Sequence, residues 1–236
     1  MSGAAQRLFF ALGVKPFLVL FIGLRVRGRE HLPAVDPFIL VANHSSHLDT
    51  ASLLALFPPA RLRSIRPVAA ADYFERTRFR AWASRTFFNI LPIARGRLTP
   101  ETNPLPKMLA ALEAGESLIV FPEGTRGGGD EVGHFKSGIA HLAERAPQVP
   151  VVPAYLRNMA RALPKGEWVP VPLFCEVRIG PALHPTGTRE EIVAAIEGAV
   201  RELAGAGPAR EGCPVSSAPQ SCAQRRERPL AAGRDR

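Results

Sequence analysis

Cysteine is scarce in this 236-residue sequence, and the three that occur exclude two kinds of architecture. Cys213 and Cys222 lie near the C-terminal end and Cys175 sits in an apolar run. Neither a metal-ligand spacing nor an even disulfide framework can be drawn from them, and a reducing compartment fits best. Also missing is an unbroken apolar run of the roughly 20 residues that a membrane span needs. The most apolar stretch, Leu8 to Leu24, is interrupted by Lys15 and Pro16, which leaves nine residues from Pro16 to Leu24. A secretory leader is not expected, because basic "RVRGRE" follows where small residues should mark a cleavage site. No P-loop, aromatic RNA-reading motif, helix-turn-helix signal or internal repeat is found, which removes the commonest phosphate-cradling and nucleic-acid classes.

What is abundant is positive charge. The net charge is +9 with a pI near 10.4, which calls for an anionic partner. Residues 1–29 carry Arg7, Lys15, Arg25, Arg27 and Arg29 without an acid, and residues 60–97 hold nine arginines against Asp72 and Glu75. The cations therefore lie beside the most apolar segment. That combination predicts a helix, or a helical hairpin bent at Lys15-Pro16, lying in one leaflet with Arg25, Arg27 and Arg29 among the headgroups. Each such cation contributes about 1 kcal/mol near an anionic surface. A buried core helix is the competing reading of the same pattern.

The length suits one α/β domain with a substantial core. After the N-terminal segment, β-like runs alternate with helical patterns: "LRVRG", "PFILVAN", "SIRPVAA", "NILPIA", "SLIVF", "VPVVPAYL" and "LFCEVRIG" are separated by "LDTASLLALF", "RTRFRAWASRTFF", "PLPKMLAALEAG" and "GIAHLAERA". This is the βαβ signature of a mainly parallel sheet flanked by helices. Residues 189–204 read as a closing amphipathic helix with acids early. The expected division is a membrane-associating helical segment over 1–24, a catalytic domain over 25–206 and a disordered basic tail over 207–236, where six arginines face three acids.

Two polar turns stand out. In "VANHSSHLD", residues 41–49, Ser46 and Asp49 resemble a capping box ahead of an apolar helix. A cap needs no imidazole, however, and His44 sits between a strand end and a helix start, where α/β proteins place ligands. From the turn, its ring can fold back onto Asp49. A carboxylate on one ring nitrogen fixes the tautomer and leaves the other nitrogen as a general base. No serine nucleophile is then required if the substrate brings its own hydroxyl.

The second turn is "SLIVFPEGTRGGGD", residues 117–130, at the carboxyl end of a strand. Arg126 can fork onto a phosphate, Glu123 can accept from hydroxyls, and Gly124 permits close backbone approach. Arg95 and Arg97 in "NILPIARGR" and Lys136 in "HFKSG" are either surface charge or further walls of one anion pocket.

Taken together, these blocks resemble a known family. "NHSSHLD" and "FPEGTR" match two motifs of the 1-acylglycerol-3-phosphate (lysophosphatidic acid) O-acyltransferases among the glycerolipid acyltransferases. They stand in the family's order about 70 residues apart, with "LPIARG" between them and "VPVVP" after, so the likeness covers roughly residues 25–180. The resemblance implies helices around a mixed sheet, an N-terminal membrane-binding helical element, and acyl transfer from a thioester to a glycerolipid hydroxyl. It implies His44 as catalytic base, Asp49 as its orienting partner, and Arg95, Glu123 and Arg126 as acceptor ligands, with Gly124 and Thr125 completing the turn; Lys136 is added as a substrate ligand from its place beyond the glycine hinge. The product would be phosphatidic acid, made at the cytoplasmic face by a monotopic or peripheral protein. Acyl-CoA or acyl-ACP would serve as co-substrate, with no cofactor and no metal.

Ala94 stands where an acid is frequent and Gly127 where a serine often follows, departures that bear on which lysolipid is the acceptor. Another lysophospholipid or a lyso-aminolipid is the alternative. More distant readings are a metal-dependent hydrolase on His44, His47 and Asp49, and a basic binding module without catalysis. Cys175 reads as a buried small hydrophobe, and His141 and His184 as structural or surface residues.

Overall fold

The computed structural model describes residues 3–71, 82, 84–94, 99, 102–127, 129–164, 167 and 169–206. Arg95, Arg97, the tail over 207–236 and most of the helical pattern at 76–88 lie outside the described residues.

Each of the seven β-like runs forms a strand: β1 (Arg25–Arg27), β2 (Ile39–Ala42), β3 (Ile65–Ala70), β4 (Leu91–Ile93), β5 (Ser117–Val120), β6 (Val151–Arg157) and β7 (Glu176–Ile179). They make one sheet in the order β1-β7-β6-β2-β5-β3-β4, parallel at every pairing except β6 with β7. The sheet is therefore mixed and mainly parallel. Its central strands β2 and β5 are buried at every position, because helices cover both faces.

The period of two divides the core. Phe38, Leu40 and Ala42 face one apolar cluster with Ile119, Val152, Ala154 and Leu156. Ile39 and Val41 face the other with Leu118, Val120, Val151 and Tyr155. Helix α1 (Gly3–Leu8), its continuation to Phe21, and α2 (Leu48–Ala55) cover the first face. The second is covered by α3 (Leu105–Glu113), α4 (Gly138–Arg145) and, beyond the single turn α5 (Met159–Ala162), by α6 (Arg189–Gly205). In α6, Ile192, Ile196 and Val200 at four-residue spacing form the buried stripe. Thr188 and Glu191 cap its start reciprocally in a capping box.

The N-terminal segment is one helix over Gly3–Phe21 and not a hairpin. It passes Pro16 by widening into π-helical turns at Phe9–Val14 and Phe17–Phe21, so that the Lys15 N–H reaches back to the Phe10 carbonyl. Lys15 does not break the helix; its Nζ donates to the Phe57 carbonyl at 2.7 Å, and Arg29 donates to Leu56 at 2.6 Å. Two cations thus hold the carbonyl end of α2, where the helix dipole is negative. Phe10, Leu18 and Ile22 are buried in the core, whereas Leu8, Phe9, Leu12, Phe17, Val19, Leu20 and Phe21 are exposed. The helix is long and apolar enough to cross a membrane, yet one side of it belongs to the domain.

Candidate active site

The parallel strands β2 and β5 end side by side, and the two polar turns leave from those ends. Asn43 continues β2 with its side chain. The buried amide donates to the Leu156 carbonyl at 3.0 Å, and its Oδ1 accepts the Leu156 N–H at 2.7 Å, which extends the β2–β6 ladder past Ala42. Sequence reasoning passed over this residue, although a buried amide at a strand end is the type of group that must find both partners.

His44 follows, its ring stacked on Phe121 with centroids 4.3 Å apart. Its Nδ1 lies 2.8 Å from Asp49 Oδ2, as the spacing suggested. Asp49 is fully buried, and the same oxygen accepts the backbone N–H groups of Ser45 at 2.6 Å and Ser46 at 2.8 Å. One carboxylate therefore ties off the start of α2 and holds the imidazole. This pairing places the proton on Nδ1 and leaves the Nε2 lone pair unengaged among the described residues. Ser46 Oγ donates to the Leu163 carbonyl at 2.9 Å, anchoring the turn to the chain beyond α5.

The second turn docks onto the first. The Gly127 N–H donates to the His44 carbonyl at 2.8 Å. Glu123 is only 8 % exposed and accepts from the Gly133 N–H at 3.2 Å. Burial raises the Glu123 pKa above the ordinary carboxylate value, against the pull of the Gly133 and His44 backbone amides and the His44 ring. One of its carboxylate oxygens is thus turned toward backbone.

Gly124 is required by its backbone, whose φ of +73° strains any L side chain. Lys136 Nζ lies 2.5 Å from where its Cβ would be, so Lys136 is brought to the turn as the sequence suggested. Thr125 is exposed in the same turn. Arg126 Nη1 lies 2.6 Å from His47 Nε2, a meeting of residues 79 positions apart that no local pattern announces. His47 is thereby engaged by a guanidinium, which disfavours a cation at that nitrogen, and among the described residues no three His, Cys, Asp or Glu side chains converge.

Elsewhere, the buried Cys175 thiol is pushed up to about 12 by burial, so it holds no nucleophilic thiolate at neutral pH. His184 is exposed, with its Nδ1 3.3 Å from the Pro147 carbonyl, and His141 is half-buried within α4.

Comparison with known proteins yields a family and a fold. A family model described as Acyltransferase matches residues 23–157. The chain is 31% identical over 182 residues to a 1-acyl-sn-glycerol-3-phosphate acyltransferase of Pseudomonas aeruginosa, covering 75% of this chain and 65% of that protein. It is 28% identical over 187 residues to 1-acyl-sn-glycerol-3-phosphate acyltransferase alpha of Mus musculus, covering 76% and 61%. The chain thus spans about three fifths of the length of the mammalian relatives it matches. Among solved structures, the 1-acyl-sn-glycerophosphate (LPA) acyltransferase PlsC from Thermotoga maritima superposes with a TM-score of 0.69 at 25% identity, over 88% of this chain and 81% of that one.

Proposed function

The chain belongs to the acyltransferase family, and we propose that it moves a fatty acyl group from a thioester to the free sn-2 hydroxyl of 1-acylglycerol-3-phosphate, giving phosphatidic acid. The observation that carries this reading is the His44–Asp49 pair, held at 2.8 Å by a fully buried carboxylate at the mouth of two interlocked turns. His44 Nε2 takes the acceptor's hydroxyl proton as that oxygen attacks the thioester carbonyl. The C–S bond then breaks, and the leaving sulfur takes the proton back from the imidazolium. The acceptor is itself the nucleophile, so the route needs no acyl-enzyme. Acyl-CoA or acyl-ACP is a co-substrate, and the chemistry calls for no further cofactor.

Arg126 and Lys136 supply cations for the acceptor phosphate beside the imidazole, and Arg95 joins them by family resemblance. Glu123 we assign to positioning: its burial and backbone partners suit it to holding His44's turn against its own. The half-packed N-terminal helix fits a monotopic protein on the cytoplasmic face, where lipid acceptor and product stay in the bilayer.

The test is acyl transfer by purified protein in detergent and in vesicles, with lysophosphatidic acid against a panel of lysolipids, both thioester donors, and His44→Ala as control. Product from lysophosphatidic acid that falls by about 10²-fold or more in His44→Ala is expected. Turnover within a few-fold of wild type in that variant would remove His44 as base, and product from another lysolipid alone would move the acceptor.

A further inference from the structure

Between α5 and β7 the chain runs through "VPVPLF", residues 169–174, in which Val169, Val171, Leu173 and Phe174 are all exposed. Val169 is 77 % and Phe174 71 % exposed, values close to the 83 % of Leu20 on the N-terminal helix. Four such side chains in six residues mark an interaction surface. The loop is held out by the fold: the Val171 N–H donates to the Ala162 carbonyl at 2.7 Å, and Asn158 Nδ2 donates to the Phe174 carbonyl at 2.9 Å.

Its location is also fixed. Gly23, at φ +64°, follows the helix's C-cap Ile22, and a Cβ there would lie 2.7 Å from Phe174 Cδ1. The Arg25 guanidinium sits 5.2 Å over the Phe174 ring, and the Arg25 N–H donates to the Cys175 carbonyl at 2.9 Å. Exposed Phe17, Val19, Leu20 and Phe21 thus continue into the loop with a cation at the seam. This seam lies on the edge of the sheet that holds His44. There β6 ends at Arg157 opposite the first residue of β7, Glu176, beside the first residue of β1, Arg25. Ser46 itself is bonded to Leu163 at the loop's start.

A peptide partner adding a strand is disfavoured, because Pro170 and Pro172 remove the donors it would pair with. An apolar surface with a snorkelling arginine on a chain of net charge +9 matches the headgroup boundary of an anionic leaflet. We propose that Val169–Phe174 is a second membrane-inserting element, which seats beside the N-terminal helix and turns the catalytic edge of the sheet toward the leaflet. This inference rests on the membrane reading given under the proposed function.

The test places an environment-sensitive fluorophore at Val169→Cys, or at Leu20→Cys, in the full chain carrying Cys213→Ser and Cys222→Ser. Vesicles of phosphatidylglycerol and phosphatidylcholine should blue-shift both labels, and brominated acyl chains should quench both. The double variant Val171→Ser/Phe174→Ser should bind these vesicles at least tenfold more weakly while keeping its turnover in detergent micelles. A shift at Leu20 without one at Val169 would overturn the loop's role and leave the membrane reading standing. No shift at either would overturn both. A shift at Val169 that needs only raised protein concentration would assign the loop to a second copy of the chain and overturn the proposal.

Discussion

Asp49→Asn separates the two tasks that one carboxylate performs. Asparagine keeps the shape and can still accept from Ser45 and Ser46 through one oxygen, but the charge facing His44 is gone. Two unit charges about 4 Å apart at an effective dielectric near 20 interact by about 4 kcal/mol. That is the stabilisation the imidazolium loses as it forms, and at about 1.4 kcal/mol per decade it corresponds to roughly a 10³-fold fall in kcat. The acceptor binds before the imidazolium forms, so its KM should stay within about threefold. Stability should fall as well. Hydrogen bonds to a charged acceptor contribute about 1.5–3 kcal/mol against 0.5–1.5 for neutral ones, so three donors on Oδ2 together lose about 3 kcal/mol. Steady-state kinetics with varied acceptor, run beside urea unfolding at pH 7, measures both numbers. A variant that loses the stability but retains kcat within a few-fold would refute the pairing as catalytic and leave Asp49 as a helix cap alone.

Glu123→Gln should lower kcat by about tenfold at unchanged acceptor KM, because the carboxylate faces the backbone of Gly133 and His44; a raised KM at unchanged kcat would return Glu123 to the acceptor site. Asp36 is affected by burial, which alone would raise its pKa, but hydrogen bonds from Ser117 at 2.6 Å, Arg61 at 2.7 Å and Ser64 at 2.8 Å bring it below the ordinary value. A depressed folded-state pKa stabilises above the unfolded value of about 3.9 and is lost as pH falls through the folded value. Wild type should therefore lose more stability than Asp36→Asn between pH 6 and pH 2 in denaturant titrations, and parallel losses would refute this. Thr188→Ala should cost about 1 kcal/mol in thermal unfolding through the lost capping box of α6 while turnover is unchanged.

The sheet was legible because β2, β5 and β6 are buried on both faces and therefore read as continuous apolar runs bounded by turn residues. The His44–Asp49 pair was legible for a different reason: its two members sit within one turn, where chain geometry alone brings them together. What could not be read depends on tertiary meetings. Lys15 looked like a break in an apolar helix, and only the position of α2 reveals the carbonyl of Phe57 as its partner. His47 read as a candidate metal ligand, and only the fold brings Arg126 to it from the far turn. Glu123 carried the right chemistry for a hydroxyl ligand, and its orientation toward Gly133 follows from a close packing that sequence does not encode locally.

These tertiary meetings explain how the turn that carries His44 is held without lying in a regular element. Asn43 fastens it to β6, the His44 carbonyl to Gly127, Asp49 to the two amides that precede the helix, and Ser46 to the chain beyond α5. The outside partners lie on β6, on the turn after β5 and on the chain beyond α5, so the imidazole's position is referenced to the sheet that they share. Loss of one tether leaves the others to hold the backbone, whereas loss of the carboxylate frees the ring itself. The apolar seam at Gly23 and Phe174 stands on the same edge, so a leaflet seated there as proposed would share one frame with the imidazole. Under the proposed function, a lipid hydroxyl entering from that side would meet an imidazole positioned by strand ends.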